Sequence, residues 1–176
     1  MTKSEPFKVV LLGESKIGKT SFISLAVKNE LPKNIEPTIA AQFVRKEFNF
    51  SDKTVKFDIW DTPGQTKYRN IMKVFFCDAK AILLMYDCTN KASFDEIKNY
   101  WYGATKEKNI DPIYFLIENK NDLISERKVD EKEGKEFADS IGAYFTSISC
   151  KNNTGIKEIF EKLAEKIFYN IFLTFC

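Results

Sequence analysis

Short apolar runs alternate with helix-period segments along most of the chain: residues 7–12 then 20–29, 81–86 then 93–106, 113–117 then 131–140, and 144–148 then 155–169. An apolar run of that length suits a strand buried on both faces, and the helical segments between such runs are crossover helices. The pattern therefore predicts an α/β fold with a mostly parallel sheet and helices on both faces. Between the first two units lie two further strand-like stretches, 42–50 and 54–60, joined by Ser51-Asp52-Lys53. That turn-forming run reads as a hairpin, so one of the six strands is antiparallel. There is no internal repeat or long linker, and residues 1–176 are read as one domain with residues 1–6 as a short N-terminal extension.

The hairpin has an irregular pattern. Val55, Phe57 and Ile59 share one side of the pleat, which places Trp60 with Lys56 and Asp58 on the other. Val44, Phe48 and Phe50 likewise share one parity, and Phe43 falls with Arg45, Glu47 and Asn49. Two large aromatics are thus expected to face away from the core. Either a helix or loop covers them, or they form a partner site.

Composition narrows the chemistry. Of 176 residues, 44% are hydrophobic and 30% charged, enough for a real core. The formal net charge is only +2, which gives no field to draw the chain onto nucleic acid. Histidine is absent, which removes the usual general base near neutral pH and the commonest nitrogen ligand for zinc. The four cysteines, Cys77, Cys88, Cys150 and Cys176, form no CxxC pair, so a reducing cytoplasmic compartment is expected. Residues 167–176 are mostly apolar but fall short of the ~20 residues that span a bilayer, and read as a buried final helix.

Four motifs carry the chemistry. Gly13-Glu14-Ser15-Lys16-Ile17-Gly18-Lys19-Thr20 follows the first strand and opens a helix, in the pattern GxxxxGK[ST]. Phosphates need inward-turned backbone N–H groups, a helix N-terminus, a lysine charge and a hydroxyl for Mg²⁺, and this octapeptide supplies each in order. Asp61-Thr62-Pro63-Gly64-Gln65 ends a later strand, where a carboxylate can hold the metal from a second side and a glutamine can orient water. Asn119-Lys120-Asn121-Asp122 follows another strand. A carboxylate there can accept from both N1–H and N2–H₂ of guanine, a pair adenine does not present, so GTP is favoured over ATP. Ser149-Cys150-Lys151 follows the last strand, where a backbone N–H can face guanine O6.

GxxxxGKT, DxxGQ, NKxD and SxK in this order resemble the nucleotide-binding signature of the Ras-type small GTPases, from Phe7 to about Phe172. The stretches 60–65, 84–89 with Ser93-Phe94, and Glu133-Gly134 are most similar to Rab proteins. The resemblance implies a P-loop small GTPase fold and a GTP/GDP-binding switch that hydrolyses GTP with Mg²⁺ and regulates vesicle trafficking. In it Lys19 binds the β- and γ-phosphates beside Ser15, Lys16, Ile17, Gly18 and Ser21. Thr20, Thr38 and Asp61 serve the metal, with Thr38 engaged only in the GTP state. Gly64 senses the γ-phosphate and Gln65 positions water. Asn119 and Asp122 read guanine, Lys120 packs along the base, and Ser149, Cys150 and Lys151 complete the pocket. Phe43, Trp60 and Phe75 stand where Rab proteins carry a hydrophobic triad for effectors.

Several positions depart from the family pattern. Leu31 replaces an aromatic ring that lies edgewise near the base, which implies faster nucleotide release unless leucine packs there as well. Lys16 replaces a small residue, and either perturbs the phosphate loop or points to solvent. Pro63 and Thr66 replace alanine and glutamate where the second switch rearranges, and Ala40-Ala41-Gln42 departs from the residues that precede the first aromatic. An alternative is therefore a GTPase-like interaction module with eroded cycling. A P-loop ATPase or small-molecule kinase is disfavoured by Asn119–Asp122. No arginine lies in 31–38 to act in cis, so an activating protein is expected to supply one, beside an exchange factor and effectors. The expected state is a monomer in the cytoplasm or at the cytosolic face of endomembranes; Cys176, directly after apolar residues, leaves membrane attachment open.

Overall fold

The computed structural model of the chain describes residues 5–34, 36–50, 53–107 and 111–174. Among them six strands form one sheet in the order β2-β3-β1-β4-β5-β6, where β1 is Phe7–Leu12, β2 Gln42–Phe50, β3 Lys53–Asp61, β4 Ala81–Asp87, β5 Ile113–Asn119 and β6 Tyr144–Ser147. β2 runs antiparallel to β3, and the other pairings are parallel. The mostly parallel sheet with one antiparallel strand agrees with the sequence pattern. Ser51 and Asp52 of the hairpin turn, residues 1–4 of the N-terminal extension, and Cys176 lie outside the described residues.

Alternation along β1 shows how both faces are covered. Val9 and Leu11 pack with Phe57 and Ile59 against α1 (Lys19–Lys28) and α6 (Ile156–Thr174), through Phe22, Phe160 and Leu163. Val10 and Leu12 point the other way, into a second cluster with Leu84, Tyr86, Phe94, Trp101 and Phe76. Every residue of β4 is buried, as a central strand with helices on both sides requires.

The helix expected at 93–106 begins earlier and is not uniform. It comprises α3 (Lys91–Glu96), a π turn at Ile97–Trp101 and α4 (Tyr102–Lys106). Between β3 and β4 the chain forms 3₁₀ turns at Thr66–Tyr68 and Lys73–Phe76 around the short α2 (Arg69–Met72). α5 (Glu131–Ser140) is capped by Asp130, whose carboxylate accepts from Lys132 N at 2.8 Å, with Glu131 and Glu133 in the first turn as the helix dipole favours. Among the described residues no helix is long and apolar enough to cross a membrane.

The second buried face corrects the reading of Trp60. It lies opposite Phe57 and Ile59, as the parity predicts, but that side of the sheet has its own core, and Trp60 is partly buried there with Phe75. Phe43 does face solvent and is 52% exposed. On the other side of β2, Val44 is 36% exposed while Phe48 packs on the core and stacks 4.6 Å from Phe160; the side chain of Phe50 is outside the described set.

Candidate functional site

The segments after β1, β3, β5 and β6, with the one before β2, build two adjoining cavities. The first, about 130 Å³, is lined by Ser15, Lys16, Gly18, Lys19, Thr20, Ser21, Glu36, Pro37, Thr38 and Gly64. Its loop needs backbone freedom: Gly18 adopts φ 103°, and it is the N-cap residue directly before α1. Lys16 adopts φ 65° although it carries a side chain, a left-handed conformation that costs roughly 1–2 kcal/mol. That side chain is exposed, the solvent-pointing alternative of the two open in the sequence.

Lys19 is 6% exposed, and its ammonium donates to Gly13 O at 2.9 Å and Glu14 O at 2.6 Å. Burial pushes its pKa down to about 8, while the charges of Asp61 and Glu14 act in the opposite sense. An anion in the cavity would add a third partner and favour the charged form.

Three oxygens from distant parts of the sequence meet beside it. Thr20 Oγ1 donates to Asp61 Oδ2 at 2.7 Å, Thr38 Oγ1 lies 3.1 Å from Thr20 Oγ1, and Thr38 Oγ1 reaches Asp61 Oδ2 at 3.4 Å. Asp61 is 8% exposed and its other oxygen, Oδ1, is buried without a hydrogen-bond partner. Burial raises the Asp61 pKa, opposed by the bond from Thr20, the charge of Lys19 and the bond from Thr38. Two hydroxyls and a carboxylate with an unsatisfied oxygen are the hard oxygen set that suits Mg²⁺, so the residues fit that ion.

Gly64 closes the cavity against the phosphate loop. A β-carbon placed on it would lie 2.4 Å from Glu14 C and 2.4 Å from Ser15 N. Gln65 is half-buried, and its carbonyl accepts from Tyr68 N at 3.0 Å at the start of the 3₁₀ turn; its side chain is not among those lining either cavity. The structure thus brings together all the phosphate-side residues read from the sequence except Gln65 and Ile17. Ile17 is a core residue, 1% exposed, whose carbonyl accepts from Asn119.

The second cavity, about 500 Å³, is lined by Lys16, Gly18, Ser21, Leu31, Asn119, Lys120, Asp122, Leu123, Cys150 and Lys151. Asn119 is 1% exposed; its amide donates to Ile17 O at 2.8 Å and accepts from Cys150 N at 3.1 Å. The side chain expected to read a base is therefore committed to fastening three loops together. The same bond occupies the Cys150 N–H. Asp122 Oδ1 accepts from Ser149 Oγ at 2.6 Å, which leaves its other oxygen outside that bond. Lys120 lies on the wall of this cavity, with Nζ 2.5 Å from Asp87 Oδ2 and donating to Lys16 O at 3.3 Å. Leu31, 46% exposed, forms part of the rim. Burial pushes the Cys150 thiol up to about 12, so it is a packing group at neutral pH.

Sequence reading missed Glu36, Pro37 and Leu123 among the lining residues. Pro37 and Leu123 directly adjoin motif residues, and that adjacency was the available signal. It also missed Glu118, fully buried and held by Arg127 through two bonds of 2.8 Å, by Tyr86 Oη at 3.0 Å and by Ser147 Oγ at 2.9 Å. This network braces both ends of the loop that carries Asn119 and Asp122. Away from the cavities, Phe43, Trp60 and Phe75 form one run of rings, with centroids 5.2 Å apart for each neighbouring pair.

Comparisons with known proteins agree with this geometry. The family model described as Ras family matches residues 8–169. The Ras-related protein RABA6a of Arabidopsis thaliana is 37% identical over 154 residues, which is 88% of this chain and 66% of that protein. The Ras-related protein RABF2b of the same plant is 35% identical over 165 residues, 94% of this chain and 82% of that protein. The chain spans a little under two thirds of the length of the first.

Proposed function

The chain belongs to the Ras family and within it is Rab-like, and from that premise we propose that it is a guanine-nucleotide switch that binds GTP and GDP with Mg²⁺ and hydrolyses GTP to GDP and phosphate. The observation that carries the proposal is the meeting of Thr20, Thr38 and Asp61 beside the buried Lys19 at the first cavity, with Asp122 on the wall of the adjoining one. Thr38 comes from the loop before β2, so the cluster of Thr20, Thr38 and Asp61 is also a latch on that loop.

The residues act mainly by position and charge. Lys19 and the backbone N–H groups of the phosphate loop stabilise the negative charge that grows on the β–γ bridging oxygen. Thr20 and Thr38 would hold Mg²⁺ directly and Asp61 would support it; the ion neutralises phosphate charge when bound. Gln65 turns inward to orient a water whose oxygen bonds to the γ-phosphorus as the bond to the bridging oxygen breaks. Loss of the γ-phosphate releases Thr38 and Gly64, and both loops relax. An activating protein would supply the missing arginine, and an exchange factor would open the nucleotide pocket. The Rab names of the relatives support a role in vesicle trafficking at the cytosolic face of endomembranes.

The test is the release of a fluorescent GDP analogue in Mg²⁺, followed by single-turnover GTP hydrolysis in the parent and in Gln65→Leu. Expected are one-to-one GDP binding and a hydrolysis rate that falls by about tenfold in the variant. Absence of GDP binding would remove the proposal. A rate indifferent to Gln65 would favour the second reading, an interaction module with eroded cycling, to which the placement of Gln65 away from the cavity and the exposed Leu31 give some support.

The aromatic run supplies the output surface of the same proposal. Phe43 is exposed and leans on Trp60, which Phe75 backs from the segment after α2. Movement of either switch would disturb this surface. Phe43→Ala is expected to weaken capture of a GTP-dependent partner by at least about tenfold and to leave GDP release unchanged. Capture at the parent's level would remove Phe43 from that surface.

A further inference from the structure

Arg69 opens α2, and its guanidinium lies where three elements meet. Nη2 donates to Glu14 Oε1 of the phosphate loop at 2.7 Å and to Glu96 Oε2 at the end of α3 at 2.7 Å. The guanidinium lies 4.5 Å from the Tyr100 ring and 5.8 Å from the Trp101 ring. Both rings belong to the π turn Ile97–Trp101, an irregularity that shifts side chains out of the ordinary helical register and is common at functional sites. The Arg69 side chain is 16% exposed and that of Glu14 23%, so this pair is shielded from solvent far more than a surface ion pair. Burial lowers the Arg69 pKa, but the bond and charge of Glu14, and then those of Glu96, outweigh it and hold it above the ordinary value.

This arrangement is a poor device for stability alone. Arg69 Nε, Tyr100 Oη and Trp101 Nε1 are all buried without a protein partner, and each such group costs desolvation that an apolar contact would avoid. What the cluster does provide is a link in space. Glu14 accepts Arg69 through its side chain, accepts Lys19 Nζ at 2.6 Å through its carbonyl, and presents the backbone on which Gly64 rests. One residue of the phosphate loop therefore gathers the buried lysine, the glycine that closes the cavity, and the arginine five positions after that glycine.

We infer that Arg69 is a positioning residue for hydrolysis: the Glu14–Arg69–Glu96 clamp holds residues 64–69 beside the phosphate loop, with Gly64 against it, so that Gln65 has only to turn its own side chain to reach the attacking water. The inference rests on the nucleotide-switch reading above. Arg69 touches neither cavity, so its loss leaves the base pocket and Lys19 in place and lets the segment that bears Gln65 move out.

The test uses the full chain loaded with nucleotide and compares the parent with Arg69→Met, Arg69→Lys, Glu96→Gln and the double variant Arg69→Met/Glu96→Gln. Single-turnover GTP hydrolysis is expected to fall by about fivefold to about tenfold in Arg69→Met, and by a smaller factor in Glu96→Gln. Arg69→Lys should recover part of the loss, because an ammonium keeps the charge for a carboxylate but lacks the planar guanidinium that lies against Tyr100 and Trp101. The double variant should be no slower than Arg69→Met, since both changes break one clamp. Release of a fluorescent GDP analogue should stay within about twofold throughout, and Glu96→Gln, whose carboxylate is 37% exposed, should keep the parent's unfolding midpoint. Hydrolysis at the parent rate in Arg69→Met and Glu96→Gln would overturn the inference, as would losses that multiply in the double variant or that follow a lowered unfolding midpoint. A parent that fails to bind GDP overturns the switch reading itself, and the clamp with it; a parent that hydrolyses GTP while the variants match it overturns the clamp alone.

Discussion

Gly64→Ala is expected to lower GTP hydrolysis by at least about 10²-fold while GDP binding stays close to that of the parent. The added β-carbon would lie 2.4 Å from Glu14 C, 2.4 Å from Ser15 N and 2.5 Å from Glu14 O. All three are backbone atoms of the phosphate loop, so no side-chain rotation relieves the contact. The phosphate loop is anchored by β1 and α1 and through Ile17 O by Asn119, whereas the segment after Gly64 is a run of short turns. Residue 64 is therefore the part that yields. An outward shift of about 1 Å removes its N–H from the γ-phosphate and carries Gln65 with it, and a misplacement of that size is enough to cost about 10²-fold. The base cavity shares no residue with this contact, which is why GDP binding survives. Single-turnover hydrolysis and fluorescent GDP release on the same sample separate the two effects. Hydrolysis within about twofold of the parent would show that Gly64 does not set the geometry of the reacting phosphate.

The fold was legible because its strands are apolar runs and its helices are periodic, and the sequence errors fall where a partner distant in the chain decides the outcome. β5 was expected to end at Ile117, before a charged residue. It continues through Glu118 and Asn119 because Arg127 neutralises the buried carboxylate, a compensation that hydrophobicity alone does not reveal. Trp60 was placed on the polar side of its strand by a rule that assumes one wet face, whereas this sheet has two dry ones. The turns at 66–76 carry no sustained period, and Met72 and Phe76 are held by the core they plug. The π turn in the helix after β4 has no sequence signature of its own.

The candidate site was legible to the extent that the residues proposed for phosphate and base recognition form contiguous motifs. A loop of backbone donors must be written as consecutive residues, so Gly13 to Thr20 announces itself. Relations between motifs are written nowhere in a single stretch. Asn119 belongs to the base motif by position, yet its amide serves Ile17 and Cys150, separated from it by 102 and 31 residues. Arg69 meets Glu14 across 55 residues and Glu96 across 27. Residue types alone mark neither partnership, because arginines and glutamates are ordinary surface residues until folding brings them together.

Asp122→Asn is expected to change base preference from guanine toward xanthine by about 10⁴-fold, the scale at which a site built around hydrogen bonds rejects a ligand that mismatches them. Ser149 Oγ donates to Asp122 Oδ1 at 2.6 Å, and Ser149 is fully buried, so this bond fixes which oxygen faces the protein. Oδ1 keeps a second lone pair for N1–H of guanine, and the other oxygen is left to accept from N2–H₂. In the variant the serine hydroxyl still requires an acceptor, so the amide oxygen takes its side and the NH₂ group is directed toward the base. Donor then meets donor with guanine, while xanthine offers its 2-carbonyl as an acceptor. The neighbouring frame should survive, because Asn119 and the Glu118–Arg127 pair hold the loop without using Asp122. Competition of GDP, XDP and ADP against a fluorescent GDP analogue measures the change, and ADP should gain little. Adding Ser149→Ala should blunt the gain for XDP, since the amide is then free to turn over. Unchanged selectivity in Asp122→Asn would remove this residue from base recognition, whereas XDP preference that depends on Ser149 would tie the choice of base to a single hydroxyl on the far side of the loop.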